Sequence, residues 1–202
     1  MKTKKNKKIA VFGGSGFLGN SLIKFLIKMD IEIVLFTRKS SPEKLIKKYK
    51  SNSNIKIINW NMNNCELIEP NILGVDCIIN LCGILYENKH GDFFRVHSDL
   101  PALLGKLSIK NKINKLIHVS ALGVSELSDS IYSRSKAIGE RKLLENFPKA
   151  KILRPSLLFG KGDNFFGQFS EMASLSPFLP VISRSTKFQP VFVNDVAQAI
   201  IN

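Results

Sequence analysis

Apolar residues recur along this chain in two alternating rhythms. Short, nearly continuous runs at Ile9–Phe12, Glu32–Thr37, Ile55–Asn59, Asp76–Leu81, Lys115–Ser120 and Ala150–Arg154 read as strands. Between them, residues 17–29, 42–50, about 92–110 and 130–146 carry apolar positions near helical spacing, as in Phe17, Leu18, Leu22, Ile23, Phe25, Leu26 and Met29. Buried runs separated by helices predict an α/β fold with a doubly wound parallel sheet covered on both faces. Beyond Arg154 the pattern loosens into prolines at 155, 177, 180 and 190 and phenylalanines at 159, 165, 166, 169, 178, 188 and 192. The run Asn194–Asn202 then reads as a helix of about two turns capped by Asn194.

Composition narrows the class without naming a partner. A chain of 202 residues with 44% hydrophobic content is long enough for one well-buried domain. The formal charge of +14 is carried mainly by lysine, and Lys2, Lys4, Lys5, Lys7 and Lys8 crowd the start. That tail could meet an anionic membrane surface, or it is a solvated face; it lacks the interleaved aromatics of a single-strand binder, so nucleic acid is not expected. The basic start before an apolar run has the look of a signal peptide, but glycines at regular spacing and the absence of a cleavage site argue against one. Cys65, Cys77 and Cys82, and likewise His90, His97 and His118, show no metal-ligand spacing, so no metal is expected and a reducing, cytoplasmic setting is favoured. No apolar run reaches the ~18 residues a bilayer span requires.

The chemistry concentrates where strands end. The first strand runs into Gly13, Gly16 and Gly19 and then into an amphipathic helix, the spacing of a dinucleotide cradle. Gly13 turns the chain off the strand, Gly16 lets backbone amides approach a pyrophosphate, and Gly19 permits close packing. The anion would sit on the helix N-terminus. At the end of the second strand, where an acid would bond a ribose 2′-hydroxyl, the chain has Thr37-Arg38-Lys39; cations there favour NADP(H) over NAD(H), unless Arg38 is only a solvated cation. Tyr132 and Lys136 share one helix face twelve residues after Ser120. A lysine ammonium beside the phenol would lower its pKa and make it a usable proton donor or acceptor, with the serine hydroxyl holding a substrate oxygen. The alternative is a Tyr–Lys pair that only packs and solvates.

Together these features resemble the extended, epimerase/dehydratase-type branch of the short-chain dehydrogenase/reductase superfamily. The segments Asn80–Gly83, Leu153–Ser156, Phe159–Asp163 and Gln189–Ala197 strengthen the likeness. His118–Gly123, Tyr132–Glu140 and Arg154–Gly160 resemble the nucleotide-binding accessory subunit of respiratory complex I and its bacterial relatives. The resemblance implies a basic tail at 1–7, a Rossmann-type NAD(P)-binding domain at 8–154 and a partial C-terminal extension at 155–202, a truncated substrate lobe. It implies that Gly13, Ser15, Gly16, Phe17 and Leu18 wrap the pyrophosphate, Arg38 and Lys39 meet the adenosine phosphate, and Asn61 and Met62 border the adenine. Leu81, Cys82 and Gly83 would border the ribose, Lys136 with Tyr132 the nicotinamide ribose, and Pro155 the nicotinamide ring. His97 stands where many relatives carry an asparagine, a departure at the proton-relay position. Two functions follow: an NADP(H)-binding subunit docked peripherally on a membrane-bound respiratory complex, or an oxidoreductase, epimerase or dehydratase using Ser120, Tyr132 and Lys136.

Overall fold

The computed structural model describes residues 7–38, 49, 52–163, 174 and 187–202. The six expected strands are present, three of them a residue or two shorter than the apolar runs that announce them: β1 (Lys8–Phe12), β2 (Glu32–Thr37), β3 (Ile55–Asn59), β4 (Cys77–Asn80), β5 (Lys115–Val119) and β6 (Lys151–Leu153). All pair in parallel in the order β3-β2-β1-β4-β5-β6. Chain direction across the sheet therefore reverses between β1 and β4, and such a switch point opens a crevice at the carboxyl edge.

Two apolar layers fix the register. On one face Val11, Ile33, Leu35, Ile79 and Val119 meet Leu22, Ile23 and Leu26 of α1 (Phe17–Ile27). Val196, Ala197 and Ile200 of the last helix, which runs Val193–Ile201, complete that layer. On the other face Ala10, Phe12, Val34, Phe36, Ile78 and Leu116 bury against later helices. These are α2 (Ile68–Asn71), entered through a 3₁₀ turn at Cys65–Leu67, α4 (Leu100–Lys110) and α5 (Ile131–Asn146). Because β1 and β4 are buried on both sides, their sequences are unbroken apolar runs rather than alternations.

Two expectations need correction. The span 92–110 is not one regular helix: α3 (Asp92–Phe94) passes through a π turn at Arg95–Asp99 into α4. The final helix, α6, starts at Val193, and its preceding residue is Phe192 with no side-chain cap; Asn194 lies inside the first turn. The reason is a short parallel pair, β7 (Leu158–Phe159) with β8 (Val191–Phe192), which delivers the chain to the helix directly from a strand. Much of the phenylalanine-rich stretch, at 164–173 and 175–186, lies outside the described residues, as do the basic residues before Lys7, the predicted helix at 42–50 apart from Tyr49, and Lys39.

Candidate functional site: a cleft at the carboxyl edge of the sheet

The glycine turn after β1 has a separate reason for each glycine. Gly13 adopts φ +78, and a β-carbon there would sit 2.9 Å from the Leu81 carbonyl carbon. The turn closes through Gly16 N–H donating to Gly13 O at 3.1 Å. A β-carbon on Gly19 would lie 2.4 Å from Gly14 Cα, so this glycine seats α1 on its own turn rather than on the strand. Gly16 differs. It has ordinary extended geometry (φ -75), and a β-carbon there would meet only Gly13 O, at 3.3 Å. A side chain on Gly16 is therefore close against the turn's own carbonyl, which would have to give slightly, while the backbone conformation itself is unstrained. The first-turn amides of α1 have no acceptor within the helix. Phe17 and Leu18 supply such amides, while the Leu18 side chain is buried in the core and Phe17 packs against it.

The turn borders a cleft of about 260 Å³. Gly13, Ser15 and Gly16 form one wall; Thr37 and Arg38 close the β2 end; Asn61 and Met62 line the β3 end; Leu81, Cys82 and Gly83 form the β4 side. These nine predicted residues are brought together, Thr37 making a tenth lining group. Sequence reasoning missed Phe36, Trp60, Ile84, Val96 and Leu100, which also line it. Phe36 and Trp60 belong to an aromatic stack in which Phe12 and Phe36 lie parallel at 4.1 Å and Trp60 meets Phe12 edge-on at 5.5 Å. The Thr37 hydroxyl is buried without a partner among the described residues, as is that of Ser120. Burial pushes the Cys82 thiol's pKa up to about 12.

Tyr132 and Lys136 form a second cluster beside the cleft, and Ser120 directly follows Val119, whose carbonyl oxygen Lys136 reaches. Ser130 caps α5 by accepting from Ser133 N–H, which starts the helix where Tyr132 and Lys136 fall on one face. Lys136 is 5% exposed, and its ammonium donates to Val119 O at 3.3 Å and lies 5.9 Å from the Tyr132 ring centroid. A β-carbon on Gly83 would be 3.4 Å from Lys136 Nζ, so the cluster abuts the β4 wall. Further along α5, Glu140 is buried and accepts from Arg154 Nε at 2.9 Å, which ties the helix to the end of β6. Pro155 lies apart, in a shallow depression shared with Leu122, Pro190 and Val191. The electrostatic expectation is reversed here: burial raises the Tyr132 pKa, while burial lowers Lys136 to about 8. Desolvation outweighs the lysine's influence on the phenol.

Residues 5–92 match the NmrA-like family. The chain is 33% identical over 193 residues to NADH dehydrogenase (ubiquinone) 1 alpha subcomplex subunit 9, mitochondrial, of Dictyostelium discoideum, covering 95% of this chain and 54% of that one. Among solved structures, Pen from Bacillus thuringiensis superposes with a TM-score of 0.85 at 15% identity, over 98% of this chain and 65% of the other. The likeness to the relatives runs along almost the whole of this chain, and the solved structures share its fold. A second solved structure, UDP-glucuronic acid 4-epimerase from Bacillus cereus in complex with NAD, gives a TM-score of 0.76 at 21% identity, over 96% of this chain and 72% of that one. The chain spans about half the length of the curated relatives it matches.

Proposed function

We propose that this chain binds NADP(H), and that it acts as an accessory subunit-like nucleotide-binding protein of respiratory complex I rather than as a turnover enzyme. The carrying observation is the cleft at the switch point. Its floor is the glycine turn with Gly13, Ser15 and Gly16, and its β2 end presents Arg38 with no acid among the lining residues. In this reading Gly13, Ser15, Gly16 and the first-turn amides of Phe17 and Leu18 hold the pyrophosphate, and Arg38 with Lys39 holds the 2′-phosphate. Asn61 and Met62 border the adenine, and Leu81, Cys82 and Gly83 the ribose. Lys136, beside Tyr132, takes the nicotinamide ribose, and Pro155 flanks the ring. NAD(H) is the weaker ligand. Residues 8–154 make up the nucleotide-binding domain and 155–202 part of the second lobe. The Dictyostelium relative's name supports docking on a membrane-bound complex, with the lysine-rich surface facing the inner leaflet from the cytoplasmic side. No helix among the described residues is long and apolar enough to cross a membrane.

A second reading is favoured by the buried, unpartnered Ser120 hydroxyl. Here the chain is an oxidoreductase, epimerase or dehydratase. Ser120 would orient a substrate oxygen, Tyr132 would move a proton to or from it, and Lys136 would stabilise the phenolate as it forms. The nicotinamide would supply hydride exchange. The raised Tyr132 pKa weighs against this reading in the chain alone.

Identifying the nucleotide released when the purified protein is denatured tests the binding. Turnover of sugar-nucleotide, quinone-precursor or hydroxyacyl substrates that vanishes in Tyr132→Phe would replace the first reading with the second.

A further inference from the structure

His97 sits in the middle of the π turn that joins α3 to α4. A π turn fits one extra residue into a helical run, and this one lies directly against α5. A β-carbon on Gly139 would come within 1.7 Å of the His97 carbonyl oxygen, so only glycine lets the two segments meet. The imidazole is 1% exposed and both of its nitrogens are engaged. Nε2 accepts from the Ile84 N–H at 3.0 Å, and Nδ1 lies 2.9 Å from Ser135 Oγ. Ser135 Oγ donates its own proton to the Tyr132 carbonyl at 2.8 Å, so Nδ1–H is the donor to Ser135. These bonds fix one neutral tautomer. Phe93 stacks on the ring at 5.4 Å, and Tyr132 meets it edge-on at 5.2 Å. Burial and the Lys136 charge hold the imidazole's pKa down at about 3.

We propose that His97 is a positioning residue: a neutral clasp that fastens the loop at 81–84, on the wall of the cleft, to the helix carrying Tyr132 and Lys136. With both nitrogens committed, His97 has none left to relay a proton. Its effect is geometric. The β4 wall and the Tyr–Lys face are held at one separation, so a nicotinamide ribose meets both together, while the adenine end, formed by Arg38, Asn61 and Met62, is tied to the same π turn through Arg95 and Asn63 and not through His97. This inference rests on the cofactor reading above.

The test compares NADPH with adenosine 2′,5′-bisphosphate, the adenine half alone, by titration calorimetry on the full chain. His97→Phe keeps a ring on Phe93 and loses both hydrogen bonds. It should weaken NADPH by about tenfold and leave the half-molecule within about twofold. His97→Gln, whose carboxamide offers one acceptor and one donor, should recover most of the loss. Ser135→Ala cuts the clasp at its α5 end and should repeat the selective loss even if His97→Phe does not fold. Parallel weakening of both ligands in Ser135→Ala, or unchanged NADPH affinity, would overturn the clasp. A wild-type chain that binds neither ligand removes the cofactor reading and the clasp with it; one that binds both, with variants that do not discriminate, removes the clasp alone.

Discussion

Gly13 and Gly16, three residues apart, are asked for different things. Gly13 occupies a left-handed conformation against the backbone of Leu81, so Gly13→Ala is strained in the fold itself, at a cost of order 1–3 kcal/mol. Gly16 is in a conformation any residue adopts, and a β-carbon there would meet only Gly13 O, at 3.3 Å. Gly16→Val should therefore cost less thermal stability than Gly13→Ala and remove NADP(H) binding, a contrast that denaturation and fluorescence titration read together. A Gly16→Val chain that still binds would remove the cradle assignment. Arg38 is tested by charge. Losing one charge-assisted contact and gaining a repulsion in Arg38→Asp should cut NADPH affinity by about 10- to 100-fold and reverse the order with NADH. Equal affinities for the two nucleotides in the unaltered chain would contradict the assignment.

The elements carry a prediction that ordinary helix rules would get backwards. Glycine inside a helix usually costs about 1 kcal/mol relative to alanine, so Gly139→Ala in the middle of α5 would normally stabilise. Here the new methyl would collide with the His97 carbonyl. We expect the substitution to destabilise by about 1–3 kcal/mol in urea unfolding, as overpacking does; a stabilised variant would contradict the close crossing. The strands were legible because central parallel strands must be apolar on both faces, and the place of the glycine turn and of Arg38 at the cleft because both follow from strand ends. The π turn was not, because the apolar spacing of Val96, Leu100, Leu103 and Leu104 passes through it without a break. The cap of α6 was misread because Asn194 has the right chemistry, while the backbone geometry is set by β8 pairing with β7. The clasp was hidden as well: its partners lie 13 and 38 residues away from His97, and no local pattern joins them.

For the molecule as a whole, the polar groups buried beneath the carboxyl edge make stability depend on pH. Asn80, His97, Ser98, His118, Ser135 and Lys136 are all buried there. Asn80 links the cleft wall to His118: its Oδ1 accepts from the Cys82 N–H at 3.1 Å, and its Nδ2 lies 3.1 Å from His118 Nδ1. His118, like His97, has its pKa pulled down to about 3, mainly by burial and then by the Lys136 charge. Both rings stay neutral in the fold, while the unfolded chain takes up a proton at each near pH 6.5. Between pH 6.5 and 3 the unfolded state therefore binds more protons, and stability falls as the pH falls through that window; above it the two histidines contribute no slope. Lys136 acts in a higher window with the same sign. Its pKa in the fold is about 8 against 10.5 unfolded, so the unfolded chain holds the extra proton between those values and stability rises with pH there. Urea unfolding should show the free energy dropping by roughly 2–4 kcal/mol between pH 7 and pH 5. His97→Gln removes one of the two titrating rings and should shrink that drop by about half. Equal unfolding free energies at pH 7 and pH 5 would mean that the two imidazoles are not held neutral beneath the sheet edge.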